Sequence, residues 1–127
     1  MAVFDLKQLC SEFTKAVNAG DLDAVCNLYA ADALFVTGPN DEAVSGSSAV
    51  REVLAGFLAS RPVMEFEHAY VFQTGDTAVA RGQWKLTSTG PDGASSVISG
   101  NSIEVLRRQA DGSWRYVIDH PWGAEVR

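Results

Sequence analysis

Residues 63–120 read "VMEFEHAYVFQTGDTAVARGQWKLTSTGPDGASSVISGNSIEVLRRQADGSWRYVIDH", and their periodicity decides the fold. Apolar and polar residues alternate through "VMEFEHAYVF" (63–72), "TAVARGQWKLTS" (77–88), "SSVISGNSIEVLRRQ" (95–109) and "SWRYVIDH" (113–120). That is the period of a half-buried strand. Clusters of turn-forming residues separate the four at "QTGD", "TGPDG" and "QADG". Connections this short join antiparallel neighbours, so this half of the chain is expected to form a meander.

Upstream the period changes to that of a helix. Phe4, Leu6, Leu9, Cys10, Phe13, Ala16 and Val17 predict an amphipathic helix over residues 3–19. Gly20 suits its C-terminal end and Asp21 the N-cap of a second helix, carried by Leu22, Val25, Cys26, Leu28 and Tyr29 to about Ala30. "ALFV" (33–36) reads as a short strand and "GPNDEAVSGS" (38–47) as a loop. Ser47 or Ser48 can cap a third helix with Val50, Val53, Leu54, Phe57 and Leu58 on one face, ending before Pro62. Helices first and strands later is the α+β pattern. One domain over residues 1–127 is expected, with three helices packed on a curved, mostly antiparallel sheet. Gly82 and Gly100 let long strands bend, and a bent sheet wrapped around helices leaves a hollow suited to a ligand.

Composition narrows the partners. Of the 127 residues, 46% are hydrophobic and 20% charged, and the formal net charge is −6. Phosphate binding needs clustered Lys and Arg, and the only tight basic pair is Arg107–Arg108, so nucleic acid is not an expected partner. No apolar run approaches the ~18 residues that span a bilayer. The N-terminal "MAVFDLKQL" lacks the plan of a secretion signal, and Cys10 and Cys26 fall on apolar helix faces, which reads as a reduced, cytoplasmic protein. His68 and His120 lack the spacing of common zinc motifs, and no phosphate-cradling glycine motif precedes a helix, so neither metal nor cofactor is expected.

The order of helix, "NAGDLDAVCNLYAADALFV", loop, "SGSSAVREVLAGF" and four long strands closing in "DGSWRYVIDHPWG" resembles the nuclear transport factor 2-like superfamily, and within it the SnoaL-like small proteins. The resemblance covers almost the whole chain and implies a cystatin-like cone and a homodimer through the outer sheet face. Within that superfamily, the ketosteroid isomerases use a helix tyrosine, a proton-shuttling aspartate after the first strand and a protonated acid on a late strand. The first matches Phe13 and the second Thr37, neither of which can do that work. The third falls among Ile103 to Val105, where alternation sets Glu104 on the face opposite its neighbours. The isomerase reaction is therefore not expected.

Alternation through "WRYVIDHPW" puts Trp114, Tyr116, Ile118, His120 and Trp122 on one face and Asp119 on the other. In the resembling enzymes the positions matching Ile118, His120 and Trp122 look into the pocket. The expected pocket is thus Phe13, Tyr29, Phe35, Asn101, Ile118 and Trp122, with His120 as general base or acid, or else simply a hydrogen-bonded strand-end histidine. Trp84 and Leu86 argue that the even positions of their strand are buried, whereas matching to the isomerases puts Arg81 and Gln83 inward. His68 reads as a core or surface histidine, and Glu65 and Glu67 as solvated. Two functions fit. One is a cofactor-independent enzyme of isomerase, cyclase or dehydratase type on an apolar, polycyclic or polyketide-like molecule. The other is a non-catalytic ligand-binding or dimeric assembly module.

Overall fold

Asn18 ties the two halves of the chain together. At the end of helix α1 (Leu9–Asn18) its side-chain oxygen accepts from Met64 N at 2.7 Å, and its amide donates to Met64 O at 3.2 Å. Met64 lies near the start of strand β3 (Val63–Thr74), so the helix is fixed across the sheet. A computed structural model describes residues 2–38 and 40–125. A 3₁₀ turn at Leu6–Gln8 leads into α1, and Asp5 caps that turn by accepting from Lys7 N. The expected helix starts later than its apolar spacing predicts. The reason is that Val3 O accepts from Trp114 N, which holds the leading residues extended.

Helix α2 (Leu22–Cys26) is capped by Asp21, whose carboxylate accepts from Ala24 N at 3.1 Å. It stops four residues short of the expected Ala30. Leu28 O accepts from Tyr116 N, so the sheet captures the apolar run and Tyr29 opens strand β1 (Tyr29–Val36). Strand β2 (Ala43–Ser45) lies within the expected loop, and helix α3 (Ser47–Ala59) starts after Gly46 rather than at a serine cap. Gly46 has φ +90°, a conformation L side chains rarely adopt.

The meander follows as predicted: β3, β4 (Thr77–Thr89), β5 (Ser95–Arg108) and β6 (Trp114–His120). The sheet order is β2-β1-β6-β5-β4-β3, antiparallel except for the parallel β1–β6 pair. The architecture is α+β, with the helices on one sheet face. Leu9, Phe13 and Val17 of α1, and Val50 and Leu54 of α3, meet the inner residues Ala80, Trp84, Leu86, Leu106 and Tyr116 in one core. The even positions of β4 are buried, as Trp84 and Leu86 predict, and Gln83 and Lys85 are exposed on the outside.

Three irregularities set the sheet's facing. On β3, Ala69 is unpaired between His68↔Gly82 and Tyr70↔Arg81, so His68 faces inward with Met64 and Phe66 while Tyr70 turns outward. On β1, the register against β6 jumps between Tyr29 and Leu34. On β6, Val117 is unpaired between Tyr116↔Leu106 and Ile118↔Val105. Each surplus residue reverses the inside–outside alternation beyond it.

Gly82 and Gly100 both face inward, where the rings of Phe66, Trp84 and Trp122 crowd the backbone. A Cβ at Gly100 would sit 2.7 Å from Trp84 and 2.9 Å from Trp122. Gly100→Ala should therefore cost about 1–3 kcal/mol by overpacking, read as a lower urea midpoint with an unchanged slope.

Candidate functional site

The helices and the inner sheet face line an open cavity of about 200 Å³. Its wall is rich in aromatics, with Phe13 of α1, Tyr29 and Phe35 of β1, Phe57 of α3, Phe66 of β3, Trp84 of β4, Tyr116 of β6 and Trp122 beyond it. Phe13 meets Tyr29, Phe66 and Tyr116 edge-on, with centroids 5.8–6.3 Å apart. Trp84 Nε1 donates to Pro121 O at 2.7 Å, which pins the C-terminal turn and holds Trp122 against Trp84.

One wall is polar. Ser102 and Glu104 alternate inward along β5, and Asp119 stands opposite Glu104 in register on β6. Glu104 is 1% exposed and Asp119 8%. Tyr29 Oη donates to Asp119 Oδ2 at 2.6 Å. His68 Nε2 lies 3.3 Å from Glu104 Oε1, close enough for an ion contact but too poorly aligned for a hydrogen bond. Both Glu104 oxygens, Ser102 Oγ and Tyr116 Oη lack a hydrogen-bond partner within the described protein. Buried polar atoms are nearly always partnered, by protein or by water, and His68 Nε2, beside Glu104, shares this lack.

Burial raises the Asp119 carboxyl to about 7, the nearby charge of Glu104 adds to that, and the Tyr29 hydrogen bond opposes it. Burial also pushes Tyr29 and Tyr116 well above the ordinary phenol range, with Asp119 adding to the first and Glu104 to the second, so both keep their protons at neutrality. Cys10, beside this group on α1, is pushed up to about 12, first by burial and then by Glu104, which makes it an inert thiol. Cys26 is also unpaired as a disulfide partner. Among the described residues, no cluster of three or more His, Cys, Asp or Glu is placed to hold a metal ion.

Of the residues expected from the sequence, Phe13, Tyr29, Phe35 and Trp122 line the cavity, whereas Asn101, Ile118 and His120 do not. The facing of Asp119 and His120 is the reverse of that expected. The unpaired Val117 shifts the phase of β6, so Asp119 points in while Ile118 and His120 lie on the outer face, opposite Val105 and Ile103. His120 accepts from Trp122 N at Nδ1 (3.2 Å), which leaves the ring proton on Nε2 to donate to Asp41 Oδ1 at 3.0 Å. Asn101 is also turned outward, bonded to Glu125 through its backbone and side-chain amides. Glu104, Ser102 and Tyr116 join the site, and so does Asp119.

A family model for the SnoaL-like domain matches residues 11–117. The chain belongs to the SnoaL-like family. Solved structures agree on the fold. A nuclear transport factor 2-like superfamily protein from Salmonella enterica superposes with TM-score 0.78 at 18% identity, covering 95% of this chain and 92% of that one. A nuclear transport factor 2-like protein with a cystatin-like fold from Novosphingobium aromaticivorans gives 0.73 at 19% identity, over 90% and 76%. A ketosteroid isomerase-like protein from Erwinia carotovora atroseptica gives 0.73 at 26% identity, over 86% and 85%. No curated protein sequence matches. Among the described residues of this SnoaL-like chain, no helix is long and apolar enough to cross a membrane.

Proposed function

We propose that this SnoaL-like protein is a cofactor-independent acid–base enzyme acting on an apolar cyclic molecule, with Asp119 as the proton carrier. The observation that carries the reading is the facing pair Asp119 and Glu104, buried at the polar wall of an otherwise largely apolar cavity. Two adjacent buried carboxyls do not both ionise readily, so the pair retains a proton near neutrality. A group that titrates near the working pH can both take and return a proton. In such a step a carbon-bound proton passes to the ionised Asp119 carboxylate and its electron pair moves into the enolate of an adjacent carbonyl group. The carboxyl then returns the proton at another carbon. Isomerase, cyclase and dehydratase chemistry all use this step.

A cavity of about 200 Å³ takes one or two rings, since an engineered cavity of ~150 Å³ holds benzene. The test is carbon–deuterium exchange: one- and two-ring ketones and phenols are incubated with the protein in heavy water and followed by proton NMR. Accelerated loss of signal beside the oxygenated carbon is the expected result. Binding with no acceleration across the panel would favour a non-catalytic ligand-binding module.

A homodimer through the outer sheet face is the second part of the proposal. Leu34, Ile118, Val105, Val79 and Phe72 run in register across five strands, and Phe72 is 66% exposed. A contiguous apolar row of this kind marks an interaction surface. Sedimentation should give about twice the chain mass of 13.6 kDa, and Val79→Asp should return the monomer. A wild-type monomer at high concentration would overturn this part. The free thiols of Cys10 and Cys26 fit a cytoplasmic setting.

A further inference from the structure

We infer that the molecule bound here presents a hydroxyl group, rather than a bare carbonyl, an ammonium or a carboxylate, to the wall formed by Glu104, Ser102 and Tyr116. The inference rests on the cavity being the ligand site and names the ligand's chemistry.

The argument is one of matching donors and acceptors. Glu104 carries the charge that adds to burial in raising Asp119, so its oxygens act as acceptors; neither has a hydrogen-bond partner, and Oε1 has only the misaligned His68 Nε2 at 3.3 Å. Tyr116 Oη is buried without a partner and keeps its proton, so it needs an acceptor. Ser102 Oγ can do either. A ketone accepts from Tyr116 but leaves Glu104 Oε2 without a donor, and Oε1 with only the misaligned His68 Nε2 at 3.3 Å. An ammonium donates to Glu104 but leaves Tyr116 without an acceptor. A carboxylate meets two acids in a cavity with no Lys or Arg among its lining residues, so it is repelled. A hydroxyl is the one group of the four that can both donate to Glu104 and accept from Tyr116. The aromatic walls favour carrying that hydroxyl on a flat ring, and about 200 Å³ matches a one- or two-ring system.

Four probes with one skeleton separate these cases by calorimetric titration: naphthalene, 2-naphthol, 2-tetralone and 2-naphthoate. Naphthalene reports the aromatic cavity alone. 2-Naphthol should bind at least tenfold more tightly than either naphthalene or 2-tetralone, as expected for a hydrogen bond to a charged group, and 2-naphthoate should bind least. Tyr116→Phe should cut the naphthol preference severalfold, and Glu104→Gln should do the same. Circular dichroism and the naphthalene affinity serve as the check that each variant keeps its cavity. If 2-tetralone or 2-naphthoate equals 2-naphthol while naphthalene still binds, the hydroxyl inference is wrong and the ligand cavity stands. The inference is also overturned if the preference survives intact in both variants. If none of the four binds, the ligand-site reading falls and takes the inference with it.

Discussion

Asp119→Asn should lower the rate of enzyme-dependent carbon–deuterium exchange by ~10²–10⁴-fold, the usual cost of losing a general base or acid. The amide keeps the shape of the carboxyl and can still accept from Tyr29, so the cavity is preserved while the movable proton is lost. The affinity for 2-naphthol should change far less than the rate, because the hydroxyl is held by Glu104 and Tyr116. His120→Ala leaves both carboxyls in place and should retain most of the exchange activity. Its main effect should be a looser C-terminal turn, because His120 bridges Trp122 N and Asp41. Full exchange activity in Asp119→Asn, or its disappearance in His120→Ala with Trp122 still in place, would reverse the assignment.

Stability should fall as pH rises through the range between the ordinary aspartate value of 3.8 and about 7. The sign follows from linkage. The folded state holds the Asp119 proton more tightly than the unfolded chain does, so across this window it binds more protons and unfolding becomes easier with each step up in pH. The penalty is absent below the unfolded value and complete above the folded one. Its size is on the order of a few kcal/mol, large against an ordinary domain stability. Urea midpoints on both sides of the window measure it. Glu104→Gln removes the neighbouring charge and Asp119→Asn removes the titrating group, so the first should shallow the slope and the second should remove this group's share of it. A wild-type midpoint that rises across the window would contradict the burial of Asp119 as a neutral acid. The same reasoning explains why the pair fits a site better than a scaffold. Buried carboxyls without full partners weaken the fold and are retained where chemistry uses them.

Most of the fold was legible in the sequence because it rests on local signals. Period-2 alternation and the turns at "QTGD", "TGPDG" and "QADG" lead directly to β3–β6, and the α3 face follows from Val50, Leu54 and Phe57. The misses came where tertiary pairing overrode a local pattern. Leu28 to Ala30 continue a helical face, yet the bond from Tyr116 N to Leu28 O draws them into the sheet. The site was legible in its aromatic half: Phe13, Tyr29, Phe35 and Trp122 are large, apolar and on the right elements. Its polar half was harder. Glu104 could have been found by counting back from the "TGPDG" turn, since that hairpin pairs Trp84 with Gly100 and so sets Ser102 and Glu104 on Trp84's side. Nothing comparable announces the phase change in β6, because Val117 is as good a strand residue as its neighbours. The bulge follows from simultaneous pairing with β1 and β5, which no window along β6 contains.

The surplus residue at Val117 also governs how this chain should be lined up with others. Set without gaps against a strand of regular phase, residues 114–120 place His120 in an inward column and Asp119 in an outward one, and any role inferred column by column is assigned to the wrong side chain. A single gap opposite Val117 restores the correspondence, because Ile118 and Asp119 then pair with Val105 and Glu104 as consecutive residues would. For this strand, gap placement outweighs residue similarity. An alignment scored on similarity alone has no reason to open a gap inside a run as strand-like as "RYVI", so equivalences across it have to be drawn from superposed backbones.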